Sequence, residues 1–165
     1  MEFNSIEAIT KGGFKGFVSI KDLNKDSSVI PNNKGVYLVL YLNKRAPEYL
    51  PKGTGGFFKR KNPNVGISKL TDKWVKDTVV VYIGKAGSEK GSATLQSRLK
   101  QYLQFGQGKD IGHYGGRYLW QIKNSQNLVI CWKPIKTGNP ATIESDLIRQ
   151  FIKQYEKFPF ANLRG

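Results

Sequence analysis

Glu144 stands where a carboxylate is costly. From Asn139-Pro140 onward, Ile143, Leu147, Ile148, Phe151, Ile152 and Tyr155 recur at helical spacing until Pro159. At about 100° per residue these side chains cover an arc of roughly 180°, and Glu144 falls near its middle. A charge carried into apolar territory requires a cation, a metal ion or a raised pKa. A salt bridge to a buried arginine would make Glu144 structural; a free carboxylate would offer a hard oxygen ligand to Mg²⁺ or Mn²⁺. Asp146 and Glu156 lie on the polar face of the same helix and need no partner.

Four other residues have types that suit phosphate chemistry. Tyr37 and Tyr82 each interrupt an aliphatic run, Lys85 follows Tyr82-Ile83-Gly84, and Arg98 borders the apolar stripe of a second helix. A lone strand tyrosine is ordinarily packing. Phosphodiester hydrolysis needs an activated water, charge stabilisation at phosphorus and help for the leaving oxygen. Arg98 supplies a planar fork of donors for the phosphate. Lys85 supplies charge that would lower the pKa of an adjacent tyrosine, which at about 10 is a poor base at neutral pH. One strong carboxylate implies one ion that keeps several waters. Spacing does not separate Tyr37 from Tyr82 as proton acceptor.

Elements of ordinary type must position these groups. Gly35 to Leu42 is apolar on both alternating faces, with Val36, Leu38 and Leu40 on one and Tyr37, Val39 and Tyr41 on the other, which predicts a central strand. Val79 to Ile83 predicts a second buried strand that stops at Gly84-Lys85-Ala86-Gly87. Phe17 to Ile20 is a possible short strand. Arg117 to Lys123 and Leu128 to Ile135 flank a turn-like Asn124 to Asn127 and predict a hairpin or a strand preceded by a loop, the second run being the clearer strand. Thr94 to Phe105 predicts a helix, with Leu95, Leu99, Tyr102 and Leu103 on one stripe and Gly106 and Gly108 at its end. Asn139-Pro140 begins the best-defined helix.

The ordered set Gly35-Val36-Tyr37, Tyr82-Ile83-Gly84-Lys85-Ala86, Leu95-Gln96-Ser97-Arg98-Leu99, Glu144 and Asn162 resembles the GIY-YIG nuclease family, which includes homing and restriction endonucleases and the incision subunit of nucleotide excision repair. The resemblance runs from Pro31 to Asn162, with residues 43 to 77 outside it. It implies an α/β protein of the α+β kind, a three-stranded antiparallel sheet flanked by helices, and a one-metal endonuclease cutting DNA, duplex DNA in the first instance. It also implies that Tyr37, Tyr82, Lys85, Arg98 and Glu144 converge on one face, with Glu144 as the metal ligand; Asn162 matches the family's late asparagine, or is simply an Asn of the C-terminal tail. His113, the sole histidine, loosely matches a histidine found downstream of the arginine in some members; a lone histidine beside Gly and Tyr is more often a loop residue than a catalyst. Two departures stand out: the long insert between the two tyrosine strands, and the Ser88 to Ala93 stretch that lengthens the Tyr82 to Arg98 spacing. A DNA-binding module that does not cut, or a nuclease acting on RNA or structured junctions, would share the same fold.

Charge points to the same partner class. The 165 residues hold 27 Lys and Arg against 12 Asp and Glu, a formal net charge of +15, and such an excess attracts polyanions. Residues 43 to 77 contribute nine basic against three acidic residues. Within this insert Phe57-Phe58-Lys59-Arg60-Lys61 interleaves aromatic and cationic groups; Lys59, Arg60 and Lys61 are candidate nucleic-acid contacts, or else a charged loop with its Phe pair tucked in. The length suits one domain, 1 to 165. Cys131, the only cysteine, sits in an apolar run and reads as a small buried hydrophobe. No apolar run approaches the ~20 residues of a membrane helix, and no leader pattern opens the chain, so a cytoplasmic protein is expected.

Overall fold

Gly35–Leu40 forms a strand, β2, in which every residue is buried, because both of its alternating faces are apolar. In the computed structural model, which describes residues 1–163, β2 lies inside a four-stranded sheet. It pairs antiparallel with Val80–Ala86 and with Val129–Pro134. In chain order the elements are α1 (Ile6–Lys11), β1 (Lys15–Ser19), α2 (Ile20–Lys25), β2, α3 (Ile67–Lys73), β3 (Val80–Ala86), α4 (Leu95–Gly106), β4 (Val129–Pro134) and α5 (Pro140–Tyr155). Strand order is β1-β4-β2-β3, all antiparallel. The architecture is α+β.

Each sheet face carries its own core. Val36, Leu38 and Leu40 join Leu147, Ile148 and Phe151 of α5 and Ile9 of α1. Tyr37 and Val39 join Leu95, Leu99 and Tyr102 of α4, with Ile20 and Leu23 of α2 and Leu70 of α3. Cys131 is buried within the α5-side core. Among the described residues no helix is long and apolar enough to cross a membrane.

The sheet corrects the sequence expectation in two places and decides a third. It has four strands rather than three, because Lys15–Ser19 adds to β4 at the edge, through a register shift between Gly16 and Val18. Of the two readings left open for Arg117 to Lys123, a hairpin strand or a loop before the strand, the structure has the second: Arg117–Gln121 forms a 3-10 turn, with Tyr118, Leu119 and Trp120 buried. β3 does not stop at Gly84 but continues to Ala86, so Lys85 is a strand residue opposite Val36.

The insert is a packed part of the domain. It contains α3, and the amide of buried Gln121 fastens it: Nε2 donates to Leu50 O (3.1 Å) and Val65 O (2.8 Å), while Oε1 accepts from Val65 N (2.9 Å). One side chain thereby satisfies three part-buried backbone groups of the insert.

Candidate active site

β3 is an edge strand, and the site straddles that edge. Tyr37 on β2 and Tyr82 on β3 face α4, their ring centroids 6.0 Å apart. Tyr102 of α4 completes the aromatic cluster, 6.4 Å from Tyr37 and 6.0 Å from Tyr82. Lys85, opposite Val36, is on the α5 side. Arg98 belongs to the first turns of α4, whose start is fixed by a capping box between Thr94 and Ser97 and by Leu95 N donating to Asn33 O at 2.7 Å. Glu144 comes from α5, which begins at Pro140 with the Asn139 side chain accepting from Ala141 N.

Tyr37, Tyr82, Lys85, Arg98 and Glu144 line one cleft of about 430 Å³. Its remaining wall is the segment Gly87 to Ala93, held by Lys34 Nζ donating to Ser88 O at 2.6 Å. The stretch that lengthens the Tyr82 to Arg98 spacing is thus part of the site. A larger cavity of about 560 Å³ near Tyr41 holds Glu48 and Lys123, which pair with each other at 2.9 Å and leave no comparable constellation.

The Glu144 carboxylate makes no ion pair and no side-chain hydrogen bond among the described residues. Burial raises its pKa, and Lys85 and then Arg98 pull it back down. Arg98 is nearly free as well: among the described residues its only side-chain partner is Gln101, at 3.4 Å. A half-buried carboxylate and a guanidinium therefore face one cleft, each with binding capacity unspent.

The tyrosines behave differently from the expectation that Lys85 would acidify one of them. Burial first and Glu144 second push Tyr82 up to about 12, the Tyr37 hydroxyl and Arg98 only partly opposing them. Tyr37 is raised well above its ordinary value, first by burial and then by Tyr82. Lys85 acts on Glu144 instead because the pleat points it to the α5 side, away from both rings.

Asn162 is at the site's border with a role the sequence did not specify. Its Oδ1 accepts from Ile83 N and its Nδ2 donates to Ile83 O, both at 2.9 Å, so the amide pairs with the free edge of β3 like another strand. His113 does not line the cleft. It is buried behind Tyr102, ring centroids 4.5 Å apart, with Nδ1 3.2 Å from Gly115 O. Burial, assisted by Arg98, depresses its pKa to about 3, so it is neutral and packs the loop. Lys59, Arg60 and Lys61 are exposed on the insert. Phe58 packs beside Gly112, Phe57 stays 44% exposed, and Tyr114 Oη donates to Asn62 O at 3.0 Å. The basic turn is thereby joined to the loop next to the cleft.

No family model matches the chain, and neither a curated protein nor a solved structure does.

Sequence reasoning overlooked Arg117 and Tyr114, which line a neighbouring cleft with Tyr82 and Glu144. The available signal was a lone arginine among aromatics after Gly115-Gly116, where Gly116 takes φ 74°. As for a metal ion, Glu144 is the one carboxylate in the cleft, and no group of three or more His, Cys, Asp or Glu side chains occurs among the described residues. Such a donor set fits an oxygen-loving cation that keeps most of its waters, not a closed protein cage.

Proposed function

We propose that this protein is a metal-dependent endonuclease that hydrolyses DNA phosphodiester bonds by a one-metal mechanism of the GIY-YIG type. One observation carries the reading: the Glu144 carboxylate, without an ion-pair partner among the described residues, shares a cleft with Arg98, Lys85 and two tyrosine hydroxyls. A structural carboxylate at that depth would be paired.

Glu144 would hold a Mg²⁺ or Mn²⁺ ion. Such an ion supplies Lewis acidity at the phosphate and charge for the leaving oxygen. Arg98 forks onto the non-bridging oxygens, and Lys85 holds Glu144 ionised against the desolvation that raises its pKa. Tyr82, the more accessible of the two tyrosines in the cleft wall, orients the attacking water through its hydroxyl oxygen; Tyr37, buried in the same wall, packs against the Tyr82 ring and fixes it. Both keep their protons at neutral pH, so either becomes a base only under added positive charge. The net charge of +15 favours a polyanionic substrate, and duplex DNA is the one proposed.

The test is Mg²⁺-dependent nicking of supercoiled plasmid by the parent, Glu144→Gln and Arg98→Ala proteins, with thermal melts on the same preparations. Glu144→Gln should lose cleavage by orders of magnitude, retain DNA binding and melt no lower than the parent. Arg98→Ala should cost roughly 3 to 4 kcal/mol of transition-state stabilisation. A folded Glu144→Gln protein that nicks at the parent rate overturns the assignment in favour of a binding module.

A further inference from the structure

A second cleft, of about 390 Å³, adjoins the first, and Tyr82 and Glu144 line both. Its cationic wall is Arg117. The guanidinium lies 3.9 Å from the centroid of the Tyr114 ring and 5.0 Å from that of Tyr118. Two aromatic rings thus hold a planar fork of donors in place, lowering the entropy lost when it takes a ligand. Within the protein this fork is little used. Nη1 reaches Tyr114 O only at 3.5 Å, the buried Nε has no partner, and no carboxylate pairs with Arg117 among the described residues.

Lys73 adds a second positive charge nearby. Its Nζ donates to Asn162 O at 3.2 Å, and Arg117 is among the charges that, after burial and Lys69, depress its pKa. The described carboxylate on this cleft is Glu144, which the first cleft shares. Two cations held near each other repel, and an anion between them relieves that repulsion.

We propose that Arg117 is a second phosphate-binding residue, holding a backbone phosphate beside the scissile one, so that one nucleic-acid strand passes Glu144 from the Arg98 cleft to the Arg117 cleft. Calling the first phosphate scissile rests on the nuclease reading above; phosphate binding by Arg117 does not. The test is fluorescence anisotropy with a labelled mixed-sequence duplex across a salt series, Ca²⁺ replacing Mg²⁺. Parent, Arg117→Gln, Arg117→Lys and Lys21→Gln are compared, Lys21 being exposed on α2 toward the opposite edge of the sheet. Arg117→Gln should weaken binding about tenfold or more, the loss of one charge-assisted hydrogen bond, and reduce the salt slope by about 0.9. Arg117→Lys should keep the slope and recover part of the affinity, and Lys21→Gln should weaken binding less than Arg117→Gln does. Parent affinity in folded Arg117→Gln overturns the proposal, as does weaker binding with an unchanged slope and a lowered melting temperature. Should Arg117→Gln fail to fold, parent affinity in Arg117→Lys overturns it. Cleavage is not read in this experiment. An uncut plasmid beside an Arg117-dependent slope therefore sinks only the nuclease reading, and Glu144-dependent nicking beside an Arg117-independent slope sinks only this one.

Discussion

The Tyr37 ring lies over Gly84, its cross-strand partner: a Cβ at residue 84 would stand 2.5 Å from Tyr37 Cζ and 2.7 Å from its Oη. Glycine is required there by the ring, not by the backbone, since β3 is an ordinary extended strand at that point. The missing side chain lets the phenol lie flat against β3 and reach toward Tyr82.

Gly84→Ala should therefore act on the site and on stability together. The ring must move, and overpacking of this kind typically costs about 1 to 3 kcal/mol. We expect a urea midpoint shifted down and a cleavage rate reduced more than DNA binding. An alanine variant with parent stability and parent nicking would show that the Tyr37 ring position is unimportant.

Asn162→Ala should expose how the edge of β3 is closed. The substitution leaves Ile83 N–H and C=O without their partner in a buried setting, at a cost of about 2 to 4 kcal/mol for two orphaned groups. Amide exchange at Ile83 should accelerate in step with the loss of stability. Unaltered protection at that amide would refute the pairing as the element that holds the edge.

His113 should remain neutral throughout the physiological range. Its folded pKa, about 3, lies below the ordinary 6.5, so between those values the unfolded chain binds more protons than the native one. Stability contributed by His113 is complete above pH 6.5 and is lost as pH falls toward 3. Its ring resonances should stay fixed from pH 8 to pH 5 in NMR titration. The parent should lose stability relative to His113→Phe on acidification below 6.5, and a ring titrating near 6.5 would contradict the burial.

The insert should contribute affinity but not stability through its basic turn. Lys59, Arg60 and Lys61 are exposed, and Lys59 and Arg60 both take positive φ, 52° and 60°, a conformation uncommon for side-chain-bearing residues. Replacing all three by Ala should leave the melting temperature unchanged and reduce the salt slope of duplex binding by up to about 3. Filter binding at several salt concentrations reads this, and an unchanged slope would leave the turn as a solvated loop.

The sequence alone determined what local periodicity records. The double alternation of Gly35 to Leu42 specified a strand buried on both faces, and β2 separates Val36, Leu38 and Leu40 from Tyr37 and Val39 as that alternation required. Asn139-Pro140 and the apolar arc specified α5 and set Glu144 among apolar side chains. Tertiary structure decided whatever depends on which faces meet. Arg117 to Gln121 has the composition of a strand, yet the turn at Gly116 and the burial of Tyr118 and Trp120 wind it into a 3-10 turn that brings Arg117 to a cleft Glu144 also lines. β1 was hard to read because its pattern is broken at Phe17, which takes φ 58° at the shift in register. Lys85 lay next to Tyr82-Ile83-Gly84 in sequence, but the pleat sent its charge to Glu144 and left both tyrosines to be governed by burial. Spacing along the chain reports one element's faces; a pKa or a cleft is a sum over elements brought together from far apart, and only the folded chain carries out that sum.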